Sequence, residues 1–99
     1  MNLLLILNNI FSGWVSEYKF CDTRKWRADY CHPDKKIIIE IEGAVWVQGR
    51  HTRGSGYIKD MEKYNEAQKL GYIVLRYTPQ QISNLIDDVK FLKNRSLTK

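Results

Sequence analysis

The chain has 99 residues, enough for one hydrophobic core and too few for two, so a single domain is predicted over residues 1–99 with a frayed tail at 94–99. Its hydrophobic residues, 43% of the chain, can form that core without the support of disulfide bonds. Cys21 and Cys31 are expected to be reduced thiols. A net charge of +5 favours an anionic partner such as nucleic acid or a membrane surface. The apolar start is far too short to span a bilayer and lacks the basic lead of a signal peptide, so a cytoplasmic protein without a membrane segment is expected.

Hydrophobic periodicity predicts helices and strands in the order α-β-β-β-α-β-α. Helical spacing places the helices from Leu4 to a stop at Gly13, over residues 57–70, and from Thr78 to Leu92. Alternation and apolar runs place the strands over residues 14–20, 26–31, 36–42 and 72–77. Three consecutive isoleucines at 37–39 indicate a strand covered on both faces, so helices are expected on each side of the sheet. The predicted class is a mixed α/β layer.

A basic loop is predicted between the third strand and the second helix. Residues 48–56 contain three glycines beside Arg50, His51 and Arg53, a composition that does not form a packed element. The two arginines are candidate phosphate clamps, although a solvated basic loop is the default interpretation of such a run. Because histidine titrates near neutral pH, His51 is a candidate general acid, phosphate ligand or plain DNA contact. The helix that follows is expected to face the sheet with Tyr57, Met61 and Tyr64.

Acidic side chains end two of the predicted strands. Asp29 belongs to the second strand, and Glu40 and Glu42 belong to the third, where residues two apart project from the same face of the sheet. Negative charges this close together are costly unless a divalent cation neutralises them. A single carboxylate near a strand end is more often a solvated or salt-bridged surface group. The ordered set favours a metal-dependent site that faces a polyanion.

The element order, with Asp29 in the second strand and Glu40 in the third, resembles the PD-(D/E)XK nuclease superfamily, whose core is α-β-β-β-α-β. Five blocks are similar to small phage and prophage nucleases near the very-short-patch repair endonucleases: residues 17–20, 24–30, 40–43, 49–54 and 60–65. The resemblance implies a restriction-endonuclease-like fold, in which a mixed sheet is flanked by helices and a C-terminal helix is added.

The resemblance also implies a Mg²⁺-dependent DNA endonuclease, with Mn²⁺ as a substitute metal and the host cytoplasm as the location if the chain is phage-encoded. The implied metal ligands are Asp29, Glu40, the Ile41 carbonyl and Glu42. The further catalytic candidates are Glu17, His51 and Lys63. The implied DNA contacts are Arg24, Lys25, Arg50 and Arg53.

Two positions depart from the family pattern. Ala28 stands where the motif has proline, and Glu42 stands where it has the catalytic lysine. Lys63 in the second helix is the preferred replacement for that lysine, ahead of Lys36 and Arg53, unless it forms an ordinary ion pair with Asp60. Glu17 either approaches the site from the first strand or pairs with Lys19 or Lys25 across the strands.

Two other functions stay open at this point. The chain is alternatively a structure-selective nuclease that acts on junctions, mismatches or nicks. From a different class, it is a non-catalytic DNA-binding module or dimeric adaptor that keeps the fold. A chain of this length has room for one active site, so a homodimer is expected if both DNA strands are cut.

Overall fold

The computed structural model describes residues 2–43 and 55–95. Within these ranges, four strands form one sheet in the order β1-β2-β3-β4. The strands are β1 (Val15–Tyr18), β2 (Ala28–His32), β3 (Ile37–Ile41) and β4 (Ile73–Tyr77). Pairing is antiparallel from β1 to β3 and parallel between β3 and β4. The helices are α1 (Leu3–Ile10), α2 (Ser55–Lys69) and α3 (Ile82–Phe91), with short 3-10 turns at Pro79–Gln81 and Leu92–Asn94.

The isoleucine run of β3 divides the core into two layers. Ile37 and Ile39 pack with α1 and α3 on one face, where Leu7 and Leu85 are fully buried. Ile38 points to the other face and packs in a second cluster with Ala67 of α2. Since helices lie against both faces, the prediction of a mixed α/β sheet flanked by helices is confirmed. Burial of the isoleucine side chains stabilises the fold by roughly 2 kcal/mol each.

The inward face of α2 agrees with the prediction at Tyr64 and differs from it at Met61. Met61 was expected to face the sheet, and this is wrong, because the residue is 46% exposed. The stripe that faces the sheet carries Lys63, Tyr64 and the fully buried Ala67. The side chain of Tyr57 lies outside the described residues. Polar residues replace apolar ones on this stripe because acidic groups of the sheet face it.

The turn between α1 and β1 is held by one amide side chain and one buried ring. Asn8 Oδ1 accepts the backbone N–H groups of Gly13 and Trp14 at 3.0 and 2.9 Å, and its Nδ2 donates to the Leu4 and Trp14 carbonyls. His32, 4% exposed, packs edge-on against the Trp14 ring. Its Nδ1 accepts the Lys35 N–H at 3.0 Å, so Nε2 carries the proton and donates to the Ser12 carbonyl at 2.8 Å.

Gly13→Ala should lower the free energy of unfolding by about 3 kcal/mol, since an added Cβ overlaps the ring nitrogen of buried His32 that donates to Ser12. Gly71→Ala is the matched control. Both glycines have positive φ, +114° and +95°, but a Cβ at Gly71 meets only the flexible Lys36 side chain at 3.5 Å. The control should therefore lose about 1 kcal/mol from backbone strain alone. Urea unfolding measures both, and equal losses would contradict the role given to the ring.

Three smaller findings complete the fold. Cys21 and Cys31 are both buried, and they do not form a disulfide with each other. In the part of the chain that the structure describes, every helix is too short or too polar to cross a bilayer. The 3-10 turn at Pro79 opens with a capping box, in which the Thr78 backbone N–H donates to Gln81 Oε1 at 3.0 Å.

Candidate active site

The side chains of Asp29 and Glu40 each accept a hydrogen bond from the backbone of the opposite strand. The antiparallel register pairs Tyr30 with Ile39, and its continuation by one residue sets Asp29 opposite Glu40. Glu40 Oε2 accepts the Asp29 backbone N–H at 3.1 Å, and Asp29 Oδ2 accepts the Ile41 backbone N–H at 2.9 Å. Each carboxylate thus takes a backbone donor at the end of the β2–β3 pair. The main chain fixes both acids beside one another.

Glu40 is a buried acid with a lysine partner. Its residue surface is only 6% exposed, and its second oxygen, Oε1, lies 3.2 Å from Lys63 Nζ. Burial raises the pKa of Glu40, while the positive charge of Lys63 opposes the rise and the negative charge of Asp29 adds to it. The structure therefore brings Lys63 to an acid of the sheet.

Glu42 is held by an arginine from the neighbouring strand. Arg76 of β4 pairs with Glu40 in the parallel register, so both side chains leave the same face of the sheet. The Arg76 Nε atom donates to Glu42 Oε2, and Nη2 donates to Oε1 at 2.8 Å. This hydrogen bonding lowers the pKa of Glu42, which keeps the carboxylate ionised.

Tyr64 of α2 connects the two glutamates. Its hydroxyl lies 3.4 Å from Glu40 Oε1 and 3.4 Å from Glu42 Oε2. Its ring supports the Arg76 guanidinium, whose central carbon lies 4.4 Å from the ring centre. Burial and the two nearby carboxylates raise the pKa of this phenol, so it stays a neutral donor. The glutamates and their two cations thus form one connected cluster.

Glu17 lies on the edge strand β1 and lines a cleft of about 590 Å³ together with Asp29 and Ile41. Its φ is +52°, an unusual backbone conformation for a residue other than glycine. Among the described residues, Lys19 and Lys25 do not come within ion-pair distance of it. The structure therefore places Glu17 near Asp29 rather than in a cross-strand ion pair.

The predicted DNA contacts divide into two groups. Arg24 lies over the Trp26 ring at 4.1 Å and forms an ion pair with Glu62 of α2 at 3.5 Å, so it holds its loop to the helix. Lys25 beside it is exposed. The remaining candidates of the basic loop lie outside the described residues: Arg50, His51 and Arg53.

Sequence reasoning missed Arg76 and the polar role of Tyr64. A signal was present for Arg76, because it is the one charged residue in the run from Ile73 to Tyr77. A charge inside an apolar strand needs a partner, and a parallel neighbour of β3 could supply Glu40 or Glu42. Tyr64 gave no such signal, since an aromatic residue on an amphipathic helix usually packs in the core.

The donor chemistry of the acid pair suits a hard cation. Mg²⁺ prefers oxygen ligands, and Asp29, Glu40 and the Ile41 carbonyl offer only oxygen. Across residues 2–43 and 55–95, no three side chains of histidine, cysteine, aspartate or glutamate are grouped closely enough to hold a metal ion unaided. Both Glu42 oxygens accept hydrogen bonds from Arg76, and both Glu40 oxygens accept hydrogen bonds from the Asp29 backbone and from Lys63.

Comparison with protein-family models, with curated proteins and with solved structures found no match for this chain.

Proposed function

We propose that the chain is a Mg²⁺-dependent DNA endonuclease built on a restriction-endonuclease-like core. The observation that carries the proposal is the pair of acids fixed at the end of β2 and β3, with a lysine 3.2 Å from one of them. Asp29, Glu40 and the Ile41 carbonyl would hold the metal ion. When bound, the ion would activate a water molecule and stabilise negative charge on the phosphate.

Each group of the cluster has a role in this proposal. Lys63 keeps Glu40 oriented and supplies positive charge next to the acid pair, in place of the lysine that the family motif has at position 42. Glu42 is assigned to holding Arg76, which donates a hydrogen bond to each of its two oxygens. The net charge of +5 favours association with a polyanion such as DNA.

A non-catalytic DNA-binding module is the competing function, and one observation favours it. Glu42 occupies the position of the motif lysine, and an acid there repels the phosphate unless Arg76 compensates. Both functions require DNA binding, but only the nuclease requires DNA cleavage. Cleavage is therefore the measurement that separates them.

The decisive experiment incubates the full chain with supercoiled, linear, mismatched and branched DNA, in Mg²⁺, in Mn²⁺ and in EDTA. We expect cleavage of at least one substrate that depends on the metal, with gel mobility separating nicked from linear products. Linear product from concerted cuts should come from a dimer, which light scattering measures under the same conditions. Binding to DNA without cleavage of any substrate would favour the module and overturn the nuclease.

A further inference from the structure

We propose that Arg76 contacts a phosphate of the bound nucleic acid through the edge of its guanidinium that Glu42 does not take. The inference rests on the proposed function for its substrate, a DNA phosphodiester. It concerns a residue that the sequence did not single out, and four features of the structure support it.

The first feature is that Glu42 takes only some of the N–H donors of the Arg76 guanidinium. Arginine has five N–H donors in a planar fork, and Glu42 takes the edge formed by Nε and Nη2. Among the described residues, Glu42 is the only acceptor of Arg76, so the edge formed by Nη1 and Nη2 keeps its donors. This edge matches two oxygens of a phosphate, since the fork binds phosphate and carboxylate with the same geometry.

The second feature is that the guanidinium is already oriented. Glu42 holds it along one edge, and the Tyr64 ring supports its face at 4.4 Å. A side chain restrained in this way loses less conformational freedom when a ligand binds than a free surface arginine does. The strand β4 fixes its backbone next to Glu40.

The third feature is access. The Arg76 side chain is 47% exposed, whereas the Lys63 side chain is 15% exposed and directs its ammonium at Glu40. A phosphate that arrives from solvent can therefore reach Arg76 directly. Lys63 is screened by the acid that it neutralises.

The fourth feature is the charge balance of the cluster. The two glutamates of the cluster and the adjacent Asp29 carry three negative charges when ionised. The two cations of the cluster, Lys63 and Arg76, carry two positive charges. Without Arg76, the acids exceed the cations by two charges, which repels an anionic substrate. With Arg76 in place, the excess is one charge.

The test compares Arg76→Met and Arg76→Lys with Lys69→Met. Lys69 is the control because it also forms an ion pair, with Glu66 at 3.1 Å, but at the exposed end of α2. A labelled DNA duplex is titrated in EDTA over a range of salt, and single-turnover cleavage is measured in Mg²⁺ at saturating DNA. Arg76→Met should weaken binding by about tenfold, lower the salt slope by about one, and slow cleavage by about 10²-fold.

Arg76→Lys keeps the charge and should restore the salt slope, but it should recover only part of the cleavage rate because an ammonium lacks the fork. Lys69→Met should leave the cleavage rate unchanged. If Arg76→Met keeps the affinity and salt slope of the unmodified chain, the phosphate contact is wrong, even when cleavage is slower. If Arg76→Met fails to fold, the cleavage rate of Arg76→Lys decides. A reduced rate supports the contact through the guanidinium fork, and a rate equal to that of the unmodified chain overturns it.

The two proposals fail in different ways. When the unmodified chain binds DNA and cuts none, the nuclease is overturned, while the salt slope of Arg76→Met still tests the phosphate contact. When the nuclease is active and Arg76→Met matches it in affinity, slope and rate, only the contact is overturned. An unmodified chain that binds no DNA overturns both.

Discussion

Asp29→Asn is expected to reduce DNA cleavage by about 10³-fold while the fold and the affinity for DNA are kept. Glu40→Gln should reduce cleavage as strongly, with some loss of stability because Lys63 loses its anionic partner. Each change removes a negative charge that would hold the metal, which removes several kcal/mol of transition-state stabilisation. The amide oxygens can still accept the backbone N–H groups of Asp29 and Ile41, so the strand ends stay paired. Single-turnover cleavage in Mg²⁺ measures the loss.

Asp34→Asn is the matched control, because it removes an exposed acid from the turn between β2 and β3. It should cut at the unmodified rate. Calorimetric titration with Mn²⁺ gives a second readout, in which Asp29→Asn should bind the metal more weakly than Asp34→Asn does. Unchanged cleavage and unchanged Mn²⁺ affinity in Asp29→Asn would remove the proposed metal site.

Lys63→Met is expected to lower the free energy of unfolding by about 3 kcal/mol at pH 7, because it leaves the buried Glu40 carboxylate without its cation. The loss should shrink as the pH falls. Burial already raises the pKa of Glu40 above its unfolded value, and Lys63 opposes that rise. In the variant the folded state binds the proton of Glu40 still more readily, so its stability falls as the pH rises through that raised pKa. Urea unfolding from pH 5 to pH 8, without metal, measures the dependence.

The double variant Glu40→Gln with Lys63→Met is the control for this interpretation. It removes both charges, so it should regain most of the stability at pH 7 and should lose the pH dependence. A loss in Lys63→Met that is the same at pH 5 and pH 8 would instead assign the effect to lost packing of the lysine stem.

The fold class could be predicted from the sequence because β3 has an unambiguous hydrophobic pattern. Three successive isoleucines of β3 can be buried only when helices cover both faces, and the structure places α2 opposite α1 and α3. The acids were equally readable, since Asp29 and Glu40 interrupt apolar strands. Their pairing with each other's backbone was not readable, because it depends on the register of β2 against β3.

The inward face of α2 was predicted wrongly at Met61 for a related reason. Counting apolar residues assigns both Met61 and Tyr64 to the inward face. Tyr64 does face the sheet, but Lys63 lies there instead of Met61. Lys63 and Tyr64 are partly buried here because they meet the carboxylate of Glu40, which lies more than twenty positions away in the chain. Periodicity within one helix holds no information about it. Arg76 was missed similarly, since its partner lies on another strand.

The exchange of hydrogen bonds between Asp29 and Glu40 also restricts how the sheet can assemble. If β2 slipped by one residue against β3, the Asp29 and Glu40 carboxylates would lie on opposite faces of the sheet. Each would then lose its backbone donor. A slip by two residues would keep the faces but would separate the two acids along the strands, and the Oε2 atom of Glu40 would lose the Asp29 backbone donor. One pairing alone satisfies both acids. The residues that define the candidate site therefore also fix the register of β2 against β3. A shifted register would lower the stability of the sheet and would also separate the acids of the candidate site.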